Sequence, residues 1–274
     1  MTPLGDMLTP AYRMVGDGPQ TVLFLHGIGG GRGSFDAQIG AFGPTYRHLA
    51  WDMPGYGDSS PLPEMTFAAL AAAAIRLLDA LGVVRAHVIG HSMGGMVAQE
   101  IAIEHSDRVA SLVLSATSPA FGKPDGDWQK EFLAERLAPL DRGQTPADLA
   151  PVVVSGLVAE NAPAAAIDAA TASMRQLSSA TYRTALACLV TFDRRHALDR
   201  IVAPCLLIAG EADTLARAPM MARMAKHIAG AQYIAIPGAG HLANLETPAA
   251  FNAACANFLA LQTYTRVYDT GFDR

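Results

Sequence analysis

The chain has 274 residues, of which 51% are hydrophobic and 16% charged, and its net charge is −5. This length is enough for one large domain with a full core, with or without an inserted subdomain. The acidic balance argues against nucleic-acid binding, the apolar stretches are too short to span a membrane, and the N-terminus lacks the pattern of a signal peptide.

Six short apolar runs recur along the chain, and residues such as Gly, Asp, Ser and His lie at or near their ends. They are TVLFLHG (21–27), HLAWDMPG (48–55), HVIGHS (87–92), SLVLSA (111–116), CLLIAGEAD (205–213) and QYIAIPGAGH (232–241). Most are hydrophobic throughout, which is typical of central parallel strands covered on both faces. Before Thr21 the sequence supplies only one clear strand, so we expect the first edge strand of the sheet to be missing or irregular.

Helical patterns alternate with these strands. They are TFAALAAAAIRLLDALG (66–82), MGGMVAQEIAIEH (93–105) and TPAAFNAACANFLALQ (247–262), the last with Thr247 as N-cap and Pro248 in the first turn. The alternation predicts an α/β fold with a mostly parallel central sheet flanked by helices. In such sheets the functional residues lie at the carboxyl ends of the strands.

Residues 119–192 do not follow this alternation of strands and helices, because they are alanine-rich and mostly helical in pattern. An ordinary crossover needs far fewer residues, so we predict a helical lid (cap) inserted into a core domain formed by residues 1–118 and 193–274. Plain crossover helices are the alternative. The tail 263–274 lacks the core periodicity and is expected to be a loosely packed extension.

The motif GHSMG (90–94) lies between a predicted strand and a predicted helix. This context is typical of a nucleophile elbow, in which a strained turn presents a serine hydroxyl. Gly90 and Gly94 then leave room for the turn, and the helix N-terminus directs its positive dipole at the site. We predict that Ser92 is a nucleophile; a purely structural turn is the alternative.

A serine nucleophile needs a base, and His241 is the best placed of the eight histidines. It follows the last predicted strand in a glycine-bracketed loop, from which it could reach Ser92. His91 is adjacent to Ser92, but neighbouring side chains on a sharp turn diverge, so we expect it to pack beside the site. Five others are expected in structural or surface positions: His87 at a strand start, and His48, His105, His196 and His227 on the surface.

The base needs an orienting carboxylate, and the loop IAGEADT offers Glu211 and Asp213. Asp213 is favoured, because the loop beyond the glycine can turn its side chain inward, whereas Glu211 is expected to cap or to face solvent. Asp52, in DMPGYGDS, is interpreted as part of a structural turn near the site.

Two backbone N–H groups should stabilise an oxyanion. Met93, directly after the serine, supplies one, and the loop HGIGGGRGS (26–34) supplies the other from Ile28 or Gly29. A glycine-rich loop could instead bind phosphate, but this one lacks the GK[ST] ending of a P-loop and an acidic residue placed for a ribose.

The motifs HGIGG, DMPGYGDS, GHSMGG, GEAD and GAGH occur in the order found in the α/β-hydrolase family, which the chain resembles over residues 12–261. The resemblance implies a Ser92–His241–Asp213 triad. Within the family, IPGAGHLANLETPAAF and the run before GEAD resemble 3-oxoadipate enol-lactonases, in which Leu-Ala-Asn and an acid follow the catalytic histidine. Hydrolases of meta-cleavage products share SMGG but carry a tryptophan after that histidine, where this chain has Leu242.

We therefore predict a serine hydrolase that cleaves a carboxylic ester or (enol-)lactone of a small organic acid, in aromatic-compound catabolism and without a metal or organic cofactor. The alternatives are C–C bond hydrolysis of 2-hydroxy-6-oxodienoates, cofactor-free perhydrolase or oxygenase chemistry, and a non-catalytic ligand receptor.

Further expectations concern the pocket and the cellular setting. Gly29, His91, Trp128 and Leu242 are possible pocket residues, with Trp128 otherwise an anchor of the lid. Cations of the lid could meet a substrate carboxylate but are expected to be solvated: Arg136, Arg175 and Arg183. Three isolated cysteines indicate reduced thiols in the cytoplasm.

Overall fold

The computed structural model describes residues 9–123 and 126–269, with side chains described as far as residue 262. Seven strands form one sheet: β1 Tyr12–Val15, β2 Gln20–Leu25, β3 Tyr46–Trp51, β4 Ala86–His91, β5 Val109–Ser115, β6 Cys205–Gly210 and β7 Gln232–Ile236. Their order is β1-β3-β2-β4-β5-β6-β7. All neighbours are parallel except β1, which pairs antiparallel with β3. This confirms the predicted α/β class.

The edge of the sheet is formed by the one strand that the sequence before Thr21 predicts. This strand, β1, pairs Tyr12 opposite Trp51 and Val15 opposite His48. Within the described residues, which begin at residue 9, no further strand precedes it.

The central strands are apolar throughout because both faces of the sheet are covered. In β2, Leu23 and Leu25 belong to the core cluster that includes residues of α1 and α2, while Val22 and Phe24 belong to the cluster on the other face, with α9. The predicted surface position of His48 is wrong. This residue is 1% exposed within β3, and its ring lies 6.1 Å from that of Phe24.

The helices are α1 Phe67–Ala80, α2 Met93–Glu104, α3 Asp127–Asp141, α4 Pro146–Ser155, α5 Ala164–Arg175, α6 Ser179–Leu189, α7 Ala218–Ala225, α8 Ala243–Glu246 and α9 Pro248–Asp269. Thr66 caps α1 by accepting a hydrogen bond from the N–H of Ala69. The last helix is longer than predicted, since its backbone continues through residue 269. The packing of the tail 263–274, which was expected to be loose, lies outside the described residues and side chains. None of the helices in the described part of the chain has the length and apolar character of a membrane span.

Four helices, α3 to α6, lie between β5 and β6 in residues 119–192, which we call the helical segment. An isolated antiparallel bridge joins its two ends, between Ala120 and Asp193. Next to the bridge, Arg194 forms two hydrogen bonds of 2.6 and 2.7 Å with the buried carboxylate of Glu100 in α2. The ends of the segment are therefore held together at the sheet, while its helices extend over the carboxyl ends of the strands.

Candidate active site

Ser92 lies on the turn between β4 and α2. Its backbone has φ 54° and ψ −120°, a strained conformation for a residue with a side chain. A Cβ on Gly94 would overlap the carbonyl oxygen of Leu25, and one on Gly90 would overlap the carbonyl oxygen of Gly94. Glycine is therefore needed at both positions for the steric reason inferred from the sequence.

The three residues predicted to act together are within hydrogen-bond distance of one another. The Oγ of Ser92 lies 2.9 Å from Nε2 of His241, and Nδ1 of His241 lies 2.8 Å from Oδ2 of Asp213. Asp213 follows β6 and His241 follows β7, so loops from two neighbouring strands bring them to Ser92. Glu211, the rejected alternative to Asp213, is exposed.

The other oxygen of Asp213 accepts hydrogen bonds from the backbone N–H groups of Leu215 and Ala216, at 2.7 and 3.0 Å. Burial by itself would raise the pKa of Asp213, but the hydrogen bond and charge of His241 and the two N–H groups together lower it below its ordinary value. The carboxylate is thus kept ionised and fixed toward the imidazole.

Sequence reasoning noted an acid after the catalytic histidine but gave no role to this residue, Glu246, which anchors the loop that carries His241. Its side chain is 4% exposed. One oxygen accepts from the N–H groups of Gly240 and Ala159, at 3.0 and 2.8 Å, and the other accepts from Leu242 at 3.0 Å. The available signal was the acid at the end of the run LANLE, shortly after His241, because a buried carboxylate requires hydrogen-bond donors.

The loop of residues 26–34, which we call the glycine loop, passes directly beside the serine. A Cβ on Gly27 would lie 2.8 Å from the Cβ of Ser92. Among the described residues, the backbone N–H groups of Ile28 and Met93 have no hydrogen-bond acceptor. Both positions were predicted as oxyanion donors, and both flank the serine in this structure.

Two buried polar side chains hold the glycine loop. His26 donates from Nδ1 to the carbonyl of Gly27 and accepts at Nε2 from the N–H of Met53, both at 2.9 Å. Burial lowers the pKa of His26 to about 4, so its ring is neutral at pH 7. The buried carboxylate of Asp52 accepts from the N–H of Arg32 at 2.9 Å and pairs with its guanidinium at 3.3 Å. Asp52 is therefore a support of the loop, as interpreted from the sequence.

Ser92 and His241 open onto a cavity of about 780 Å³, which we call the serine cavity. Met96 and residues of the helical segment, among them Val153, Tyr182 and Leu186, line it as well. Trp128 lines its mouth with 55% of its surface exposed, and its ring packs on those of Phe121 and Phe132.

The three arginines of the helical segment that were considered as partners of a substrate carboxylate differ in position. Arg136 lines the serine cavity, with its guanidinium carbon 5.3 Å from the ring centroid of Phe132. Arg183 pairs with Asp141 at 2.6 Å. Arg175 is exposed at the end of α5.

His91 is buried beside the base, as expected from its place on the turn. Its ring meets that of His241 edge to face, with centroids 5.1 Å apart. Burial, followed by the neighbouring His241, lowers the pKa of His91 to about 3, so the ring is uncharged at neutral pH. The four possible pocket residues divide accordingly: the serine cavity is lined by His91, Trp128 and Leu242, whereas Gly29 lies against the side chain of Met174 outside it.

Such an arrangement is chemically suited to nucleophilic attack. A neutral imidazole at His241 can take the proton of the Ser92 hydroxyl, while Asp213 stabilises the resulting charge. Two free N–H groups beside the serine can hold a developing oxyanion.

Comparison with known proteins agrees with this architecture. A family model described as alpha/beta hydrolase fold matches residues 20–248. RutD of Caulobacter sp. (strain K31), named as a proposed carbamate hydrolase, is 32% identical over 91% of this chain and 95% of its own length. The 3-oxoadipate enol-lactonase 1 of Acinetobacter baylyi is 27% identical over 89% of this chain and 91% of that protein.

One relative matches only in part, and one solved structure matches throughout. The acetyltransferase component of the acetoin cleaving system of Cupriavidus necator is 40% identical over 110 residues. This match covers 40% of this chain and 29% of that protein. The crystal structure of a hydrolase from Pseudomonas aeruginosa PA01 has a TM-score of 0.80 and 31% identity, covering 90% of this chain and 93% of that one. The chain is therefore a hydrolase that belongs to the α/β-hydrolase fold family.

Proposed function

We propose that the protein is a serine hydrolase that cleaves a carboxylic ester or (enol-)lactone of a small organic acid. The observation that carries the proposal is the continuous hydrogen-bonded chain from Ser92 through His241 to Asp213, at 2.9 and 2.8 Å, below the serine cavity. Ser92 is the nucleophile, His241 the general base and acid, and Asp213 the group that orients the imidazole.

In the first step, the Oγ of Ser92 attacks the substrate carbonyl carbon while Nε2 of His241 accepts the hydroxyl proton. The carbonyl oxygen becomes an oxyanion and is held by the N–H groups of Met93 and Ile28. His241 then gives its proton to the leaving oxygen, the carbon–oxygen bond of the ester breaks, and an acyl-enzyme remains on Ser92.

In the second step, His241 takes a proton from water, and the resulting hydroxide attacks the acyl carbon. Collapse of this intermediate returns the proton to Ser92 and releases the acid. With a lactone, the leaving oxygen stays tethered to the acyl group, so a single hydroxy acid, or a keto acid from an enol-lactone, is released. None of these steps requires a metal or an organic cofactor.

The helical segment 119–192 acts as the lid in this proposal, and residues 1–118 and 193–274 form the core domain. In support, the segment contributes Leu157, Met174 and Tyr182 to the walls of the serine cavity, whereas the three proposed catalytic residues all come from the core. The lid would therefore select the substrate, and the core would perform the reaction.

The substrate class follows from the cavity and from the relatives. Apolar side chains form much of the serine cavity, which suits a substrate with an apolar body. The charged residues that line it are three arginines and two glutamates: Arg136, Arg195, Arg217, Glu131 and Glu135. The arginines could meet the carboxylate of a small acid. The likeness to an enol-lactonase supports a role in the breakdown of aromatic compounds. The buried free thiols of Cys188, Cys205 and Cys255 support a cytoplasmic location.

The test is a panel of four substrates offered to the wild-type protein and to Ser92→Ala: p-nitrophenyl acetate, an enol-lactone, an aryl carbamate and a 2-hydroxy-6-oxodienoate. We expect turnover of the acetate and the enol-lactone that Ser92→Ala lacks. Turnover of only the dienoate or only the carbamate would overturn the ester and lactone assignment. Equal rates for wild type and Ser92→Ala on every substrate would overturn the serine-hydrolase mechanism.

A further inference from the structure

A second cavity, of about 610 Å³, lies next to the serine cavity. The glycine loop and α5 form much of its wall, and neither Ser92 nor His241 lines it. Five residues line both cavities and therefore form the partition between them: Ile28, His91, Leu157, Met174 and Leu242.

Four members of this partition are tied to the proposed catalytic groups. Ile28 provides a backbone N–H, His91 and Leu242 are chain neighbours of Ser92 and His241, and the carbonyl of Leu157 accepts the N–H of His241 at 2.7 Å. Their positions cannot change without disturbing the site.

Met174 is the exception. It extends from α5, is 3% exposed, and packs on Gly29, where an added Cβ would lie 3.5 Å from the Met174 Cγ. A methionine side chain is unbranched and adaptable, which suits it to closing an irregular gap. Met174 is thus the member of the partition that can be changed without touching the proposed chemistry.

The charges of the second cavity limit what could enter it. Its charged side chains are those of two arginines and three aspartates, and the His91 ring is neutral. Arg13 pairs with Asp36 at 2.7 Å, and Arg32 pairs with Asp58 and with Asp52. Both arginines are therefore already paired, and the three aspartates leave the cavity with one net negative charge. The cavity suits an uncharged chain and opposes a carboxylate, because like charges in a partly buried site repel.

We propose that Met174 determines specificity by closing the second cavity to the substrate, so that the wild-type enzyme prefers short chains and Met174→Ala accepts longer, uncharged ones. This inference rests on the proposed ester hydrolysis. Replacement by alanine opens the partition and joins the two cavities into one binding site that extends past the scissile carbonyl.

The test measures kcat/KM for p-nitrophenyl acetate and p-nitrophenyl hexanoate. Burial of each methylene group raises affinity about fourfold. We therefore expect Met174→Ala to raise the ratio of kcat/KM for hexanoate to kcat/KM for acetate by about tenfold or more. Met174→Leu conserves the volume of the side chain and should keep the wild-type ratio. If Met174→Ala does not fold, Met174→Val opens the partition less and should shift the ratio in the same direction.

Two controls make the result specific. Val154 lines the second cavity but not the serine cavity, so Val154→Ala enlarges the former without opening the partition and should keep the wild-type ratio. The p-nitrophenyl half-ester of adipic acid matches hexanoate in length but ends in a carboxylate, and its gain in Met174→Ala should be at least about fivefold smaller, because of the aspartates.

An unchanged ratio in Met174→Ala, an equal gain in Val154→Ala, or an equal gain for hexanoate and the adipate half-ester would each overturn the inference. Failure of the proposed function itself looks different, since the wild-type protein would then hydrolyse p-nitrophenyl acetate no faster than Ser92→Ala.

Discussion

The backbone N–H of His241 donates a 2.7 Å hydrogen bond to the carbonyl of Leu157, in the loop between α4 and α5. A Cβ on Gly240, the preceding residue, would lie 2.5 Å from the backbone nitrogen of Ala159. The loop that carries the proposed base is therefore in direct backbone contact with the helical segment. Any movement of that segment would therefore shift the backbone of His241.

Glu246 reinforces this contact, because its carboxylate accepts hydrogen bonds from both segments. The donors are the backbone N–H groups of Gly240 and Leu242 in the loop that carries His241, and of Ala159 in the helical segment. Glu246→Gln replaces one acceptor oxygen by an NH₂ group that faces backbone donors. We expect the free energy of unfolding to fall by about 2–3 kcal/mol. We also expect kcat to fall by about tenfold or more, since a displaced base loses its alignment with Ser92.

Urea unfolding and kcat at saturating p-nitrophenyl acetate measure the two effects of Glu246→Gln. The matched control is Glu160→Gln, an exposed acid next to Ala159 in the same loop. Unchanged kcat in Glu246→Gln would show that the carboxylate does not position the base.

The close approach of Gly27 to Ser92 provides a test of the oxyanion donors. The methyl group of Gly27→Ala would lie 2.8 Å from the serine Cβ, so the loop carrying Ile28 must shift. Loss of one oxyanion donor typically costs about a hundredfold or more in kcat, and we expect a loss of that order with little change in KM.

The control for Gly27→Ala is Gly33→Ala in the same loop, where the nearest atom to the added methyl group, the Asp36 carboxylate oxygen, is at an ordinary 3.8 Å. Equal kcat in Gly27→Ala and Gly33→Ala would contradict the assignment of Ile28 as a donor.

Asp213→Asn tests whether Asp213 holds His241 in the tautomer that accepts the serine proton. The amide would donate to Nδ1 of His241, leaving the proton on Nε2, where it cannot accept the proton of Ser92. We expect kcat to fall by about ten-thousandfold with the fold intact. Steady-state kinetics and circular dichroism check this, with Glu211→Gln as the control, because that acid is exposed on the same loop.

The same carboxylate predicts a pH dependence of stability. Because the folded protein lowers the pKa of Asp213, the stabilisation is fully present above the ordinary carboxyl value of about 4 and is lost as the pH falls through the lowered pKa. The difference in free energy of unfolding between wild type and Asp213→Asn should therefore shrink below about pH 4. Urea unfolding between pH 3 and pH 7 measures it, and a difference that is constant with pH would contradict the lowered pKa.

What could be predicted from sequence was local in the chain. The six apolar runs all became strands, and the turn around Ser92, with its flanking glycines, follows from short-range sterics. His48 was misplaced, because its position at the start of the apolar run HLAWDMPG does not reveal that Phe24 and Phe42 cover its ring.

The remaining features depend on contacts between distant segments. Glu246 meets Ala159 across 87 positions of the chain, and Met174 meets the glycine loop only because α5 folds over it. No periodicity or motif encodes such pairs, so the anchoring of the loop that carries His241 and the partition of the two cavities emerged only from the folded chain.

The central claim, that Ser92 is a covalent nucleophile activated by His241, is tested most directly by labelling. The protein is incubated with a fluorophosphonate and its intact mass and peptides are measured. The account predicts one added label per chain, located on Ser92, with loss of esterase activity in step with labelling and very slow labelling of His241→Ala. A label on another residue, or full esterase activity in a protein labelled at Ser92, would contradict it.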